Sequence, residues 1–276
     1  MRLYNFDDQF QQYTAQWVQD NAAKYKNNYD RMEEKMPEVY LEWLNKPAEW
    51  LEGKAPGTFF LQYDDADMLA AWMRDYFEKG VPVPDQLLER VTDLGKPMEE
   101  KLLALLADES APKDARLTAI TLLSEMESTA PMDRYIGWIA NRGVQDEQAD
   151  MAAEALVAMG RMIVPAVLAA VDSAKEAGQE TFVDVLSNFP GEDAIYALTA
   201  DMFARQVEKR ALYASLLGKL GDERAIPLLR DAVDDPAVSY LDYIELRNAI
   251  EALGGEAPEE RIFDGDPYYE SLRRME

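Results

Sequence analysis

Residues 216–236, LLGKLGDERAIPLLRDAVDDP, constrain the fold more than any other part of the chain. Leading into them, Leu212, Tyr213, Leu216, Leu217 and Leu220 fall at the short steps that lay an apolar stripe along one face of a helix. Gly221 follows the last of these, and glycine tolerates the left-handed backbone that closes a helix. Asp222 and Glu223 then place carboxylates where a second helix begins and its dipole is positive. That helix carries Ala225, Leu228, Leu229, Ala232 and Val233, and it stops at Asp235-Pro236, because the residue before a proline avoids the helical region. A single hairpin of this kind leaves much of its apolar surface uncovered, so it requires neighbours on both sides.

The closing phrase recurs. An apolar residue, two variable positions, a second apolar residue and a stop are found at 91–95, 120–124, 156–160, 186–190, 217–221 and 250–254, at intervals of 29, 36, 30, 31 and 33 residues. Such a period is the mark of stacked helical hairpins. Second helices are expected over 97–107, 132–140, 163–171, 193–203 and 224–233. The tail after Gly255 holds Pro258, Gly265 and Pro267 and ends in a charged segment at 268–276, which is expected to cap the last unit.

The first eighty residues have a different texture, holding 16 of the 28 aromatic residues, so rings are expected to fill their core. Asn5 is placed to cap a first helix with Phe6, Phe10, Tyr13, Trp17 and Val18 along one face. A second helix from near Asp30 carries Met32, Met36, Val39, Tyr40, Trp43 and Leu44, with Pro37 predicting a kink or a later start. Residues 46–57, with two prolines and two glycines, read as a loop folded around Trp50. Asp64 or Asp65 caps a third helix bearing Met68, Leu69, Trp72, Tyr76 and Phe77, ending at Gly80. The chain therefore divides into an aromatic-rich helical region, 1–84, and a repeat region, 85–276.

On these residues the repeat resembles the HEAT family, in its short form known from phycobilisome lyase proteins. Ala252-Leu253-Gly254 and Gly221-Asp222-Glu223-Arg224-Ala225-Ile226-Pro227-Leu228-Leu229 carry the likeness best, followed by Met159-Gly160 and Val164-Pro165-Ala166-Val167-Leu168. It covers about residues 85–255. It departs from the pattern between Asp235 and Ala249, where Tyr240 and Tyr243 are inserted, and at Ser124 and Pro190, which replace glycine. The resemblance implies an all-α fold, a right-handed α-α superhelix of the HEAT/armadillo-like solenoid type, to which the composition of residues 1–84 adds an aromatic-rich helical N-terminal cap. It also implies protein binding and no chemistry.

The chain of 276 residues contains neither cysteine nor histidine, which removes disulfides, thiolate chemistry, zinc-thiolate sites and the commonest general base together. Fifty-three acidic against 28 basic side chains give a formal charge of −25, which disfavours binding to phosphate backbones. The longest apolar run, 162–171, is too short to span a membrane. A cytoplasmic protein without cofactor or metal, and without catalytic activity, is the expectation. Asp64-Asp65 with Asp67 lacks the glycine and terminal glutamate of a calcium loop, so helix capping outweighs a cation site. Carboxylate pairs such as Glu99-Glu100, Asp222-Glu223 and Asp234-Asp235 sit at helix ends, where they complement dipoles. Trp43, Trp50 and Trp72 could form an aromatic ligand pocket, but rings at helical spacing are more often core.

One stripe suggests a binding surface. Aligning the second helices on Pro165, Tyr196 and Pro227 places Pro165, Ala169 and Asp172, then Tyr196, Ala200 and Phe203, then Pro227, Asp231 and Asp234 off the buried faces. If second helices line a concave face, Asp172, Tyr196, Phe203, Asp231 and Asp234 form an acidic and aromatic groove for a Lys- or Arg-bearing segment. Packing of Tyr196 and Phe203 between repeats is the competing expectation. The chain thus reads as a scaffold or adaptor for a basic protein or peptide. The alternatives are an enzyme-accessory or lyase-like protein holding a small ligand between the N-terminal helices and the repeats, and an acidic mimic of nucleic acid.

Overall fold

The computed structural model describes residues 1–25 and 28–274; Met275 and Glu276, at the end of the charged tail, lie outside it. Among the described residues the protein is all-helical, with no strand and a single isolated antiparallel bridge between Ala48 and Lys54. It divides into two compact units, Met1–Pro131 and Met132–Glu276. The compositional change near residue 84 falls inside the first of them.

The first unit begins with α1 (Phe6–Asn21), whose free N–H groups are met by the Asn5 side chain, accepting from Asp8 at 3.1 Å. A short α2 (Tyr29–Glu33) precedes α3 (Met36–Asn45), which holds Pro37 in its first turn. Of the two outcomes that Pro37 allowed, the chain takes the later start, because the missing N–H costs nothing there. In the loop that follows, the Ala48 N–H donates to Lys54 O (3.0 Å) and Leu51 is fully buried. Leu51 is the plug of this loop, while Trp50 stays half-buried. A 3-10 turn, Pro56–Gln62, leads to α4 (Ala66–Lys79).

Rings make up much of the N-terminal core. Phe6 packs against Trp43, Trp50 and Phe60, and Trp72 against Phe59, Phe60 and Tyr63. The buried polar atoms of two rings are satisfied by the chain's first residues: the Trp72 indole N–H donates to Arg2 O, and the Tyr76 hydroxyl donates to Tyr4 O and accepts from the Tyr4 N–H. The unit continues with α5 (Asp85–Asp93), α6 (Lys96–Ala107) and α7 (Lys113–Glu125).

The second unit contains α8 (Met132–Asn141), α9 (Glu147–Ala158), α10 (Val164–Ala170), α11 (Glu176–Leu186), α12 (Asp193–Arg205), α13 (Arg210–Leu220), α14 (Ile226–Val233), α15 (Tyr240–Ala252) and α16 (Pro267–Arg273). The hairpin read from residues 216–236 is α13 and α14. Gly221 between them has φ 73°, the left-handed value a side chain resists, and Pro227 occupies the first turn of α14. Where Ser124 stood in place of glycine, α7 ends instead through Glu127, at φ 53°.

The inserted Tyr240 and Tyr243 lie within α15, and residues 234–239 form the loop before it. Tyr243 is buried and donates to Glu259 O (2.7 Å), and Tyr240 packs with Phe263, Tyr268 and Tyr269 from the tail. Arg261 supplies N–H groups to the carbonyls of Val233 and Asp235, both at 3.0 Å, at the end of α14. The tail thereby meets carbonyls that the helix cannot satisfy itself.

Candidate interaction surface

The residues of the aligned stripe have three different fates. Phe203 is 3% exposed and belongs to the core, a correction to its placement in a surface groove. The inward face of α12 is wide, taking in Ile195, Thr199, Met202 and Phe203 together, and a ring without a polar atom gains most by turning in. Tyr196 is half-buried; its hydroxyl donates to Arg224 O (3.0 Å), and the Arg224 guanidinium lies 4.3 Å from its ring centroid. Arg224 also pairs with Asp222 (2.6 Å) and Asp193 (2.8 Å), and hydrogen bonds from Arg224 hold the Asp222 carboxyl below its usual range. The cation expected from a partner is therefore supplied over Tyr196 by the chain itself. Asp172, Asp231 and Asp234 are exposed, and no ion pair to any of the three is formed among the described residues.

A different surface of the second unit offers more space. An open groove of about 670 Å³ runs across α9, α11 and α13. On α9, Asp150, Glu154 and Val157 follow one another at helical spacing along one face, and α11 repeats the carboxylate pair with Glu180 and Asp184, with Val185 next to the second. Leu212 of α13, 37% exposed, faces the same space. Half-buried Val157 and exposed Leu212 give the groove an apolar lining over the buried Val185, and the carboxylates border it.

Basic side chains fix part of this acidity. Arg142, its side chain only 9% exposed, pairs with Asp150 (2.7 Å) and donates to Thr181 Oγ1 (2.7 Å) and Gly143 O (3.1 Å). Lys219 pairs with Asp184 (2.8 Å), and Lys209 reaches both Glu176 and Glu180. Those hydrogen bonds push the Lys209 ammonium up to about 12. Glu154 is exposed and has no ion-pair partner among the described residues. Sequence reasoning missed this groove because it attended to second helices. The signal was present all the same, since Asp150 with Glu180, and Glu154 with Asp184, stand one repeat apart at equivalent positions.

The remaining candidates resolve separately. Asp65 caps α4 by accepting from Met68 N (3.0 Å), Asp64 pairs with Arg90, and Asp67 pairs with Lys101. The three carboxylates are thus directed to three partners rather than converging, and no group of metal-ligating side chains is found among the described residues. No single helix there is long and apolar enough to cross a membrane.

The paired helices and their turns define a helical-repeat protein. Residues 214–235 match the family of PBS lyase HEAT-like repeats, over the α13–α14 hairpin, so the chain carries at least one repeat of that family. No curated protein matches the chain.

Proposed function

We propose that this protein is a non-catalytic scaffold that holds a basic segment of a partner protein in the groove across α9, α11 and α13. The observation that carries the reading is the pairing of an apolar lining with two rows of carboxylates in one open groove. An amphipathic segment with Leu-like residues on one face and Lys or Arg beside them complements both features. The formal charge of −25 adds long-range attraction for such a segment. In this reading the hairpins coil in the right-handed sense usual for such repeats, the aromatic N-terminal helices cap the first hairpins within their own unit, and the protein works in the cytoplasm.

The test is fluorescence anisotropy with a short labelled Leu/Lys amphipathic peptide and an otherwise identical Leu/Glu peptide, at low and high salt. The Lys peptide should bind, more weakly as salt rises because exposed charges are screened, and the Glu peptide should not. Glu154→Lys, which breaks no internal pair, should weaken binding by about tenfold, equivalent to about 1.4 kcal/mol. Asp231→Lys with Asp234→Lys should leave it unchanged. If the Asp231 and Asp234 substitutions weaken binding and Glu154→Lys does not, the partner lies on the second helices and the groove assignment is wrong.

A further inference from the structure

The N-terminal unit carries another cavity, independent of the groove. Gln9, Gln12 and Tyr13 share one face of α1, Trp43 and Lys46 stand at the end of α3, and Trp50 comes from the loop beyond; together they line an open cleft of about 300 Å³. The loop that presents Trp50 is locked. Ala48 and Lys54 are bridged, the Gly53 N–H donates to Ala48 O (2.9 Å), and Leu51 anchors it with no exposure at all. The Trp50 indole is packed edge-on against Phe6 with centroids 5.0 Å apart, and it lies 6.4 Å from Trp43 at an interplanar angle of 20°. A loop so closely tied nonetheless leaves this large ring half-open at the cleft.

The polar groups of the cleft identify what fits. Lys46 is the sole charged residue of its lining, and its ammonium lies 5.1 Å from the Tyr13 ring centroid. The Tyr13 hydroxyl donates to Glu42 (2.9 Å), which adds electron density to that ring. The cleft therefore already receives an alkylammonium on an aromatic face, supplied by an exposed side chain that is free to swing away. A simple carboxylate would be repelled by the overall charge of −25, and a simple cation would meet Lys46. A molecule carrying both charges avoids each difficulty.

We propose that the cleft binds a small zwitterion of the betaine type, a methylated ammonium joined to a carboxylate. Its ammonium takes the place of Lys46 against Tyr13 and Trp50, where a weakly hydrated cation gives up little water. Its carboxylate pairs with the displaced Lys46 and accepts from the Gln9 and Gln12 amides.

Isothermal titration of the full chain with three probes tests both halves of the recognition. Glycine betaine carries both charges, choline lacks the carboxylate, and 3,3-dimethylbutyrate keeps the carboxylate and the shape but replaces the cation with a neutral group. Betaine should bind at least about tenfold more tightly than either of the others. Lys46→Gln, an exposed substitution that leaves the rings in place, should bring betaine down to the level of choline. Trp50→Ala should abolish binding, with circular dichroism confirming that the chain remains folded. Equal binding of dimethylbutyrate and betaine would reduce the cleft to an apolar patch and overturn the proposal. Absence of saturable heat with betaine in the millimolar range, or unchanged affinity in Lys46→Gln, would overturn it as well.

Discussion

Two glycine-to-alanine substitutions, one in α8 and one in α11, should have opposite effects on stability. Gly137 lies inside α8, and a Cβ built on it meets nothing within 4 Å. Alanine there gains helix propensity without a clash, so Gly137→Ala should stabilise the second unit by about 0.5–1 kcal/mol. Gly178 lies in the first turn of α11, and its Cβ would stand 2.5 Å from Ile139 O, 3.1 Å from Ala140 O and 3.2 Å from Ala140 Cα. All three are backbone atoms at the end of α8, so no side chain can turn aside. That backbone is also fixed by its own bonds: Ala140 O accepts from Lys175 N (2.9 Å) and Asn141 O from Lys175 Nζ (2.8 Å). Moving it strains both contacts, each worth about 1 kcal/mol, on top of an overpacking cost of about 1–3 kcal/mol. The propensity gain of at most about 1 kcal/mol does not offset this. Gly178→Ala should therefore destabilise by about 1–3 kcal/mol and, because α11 forms the middle of the groove, should weaken the Lys peptide too. Urea denaturation followed by circular dichroism reads both effects as shifts in midpoint. A Gly178→Ala midpoint at or above wild type would refute the close approach of α11 to α8.

Two further outcomes follow from the same contacts. Phe203→Ala, in the core, should cost about 3–5 kcal/mol, whereas Tyr196→Ala should cost only about 1 kcal/mol, because its partner Arg224 is solvated; equal thermal shifts would show that Phe203 is not core. Hydrogen bonds from Ser110 and Arg74 hold the Asp108 carboxyl down to about 2 in the folded chain. Since its folded value lies below the unfolded one of about 4, its contribution is present above about pH 4 and is lost as pH falls toward 2. Asp108→Asn should thus show a smaller fall in melting temperature than wild type across that window, and parallel curves would contradict the assigned hydrogen bonds.

The sequence by itself determined the helical hairpins. Apolar spacing, Gly221, Pro227 and the Asn5 cap act within a turn or two of chain, so their consequences are local and readable without knowing the neighbours. The same locality narrowed two helix starts to a pair of outcomes each, a kink or a later start at Pro37 and a cap at Asp64 or Asp65, between which the structure chose the later start and Asp65. Tertiary packing decided which side chains remain available for binding. Tyr196 and Phe203 fall on one flank of the same helix, yet one ring is covered by Arg224 from the next hairpin and the other is turned into the interior. Spacing along α12 cannot distinguish these fates, because each depends on what lies opposite. The groove has the same origin: Asp150 and Glu154 on α9, and Glu180 and Asp184 on α11, are separate carboxylates in the sequence, and they become a surface only when α9, α11 and α13 stand side by side. In the N-terminal unit the sequence marked Trp43, Trp50 and Trp72 alike. Packing sent Trp72 into the core with its N–H bound to Arg2 O, and left Trp50 half-open beside Tyr13, because a locked loop fixes where its ring stands.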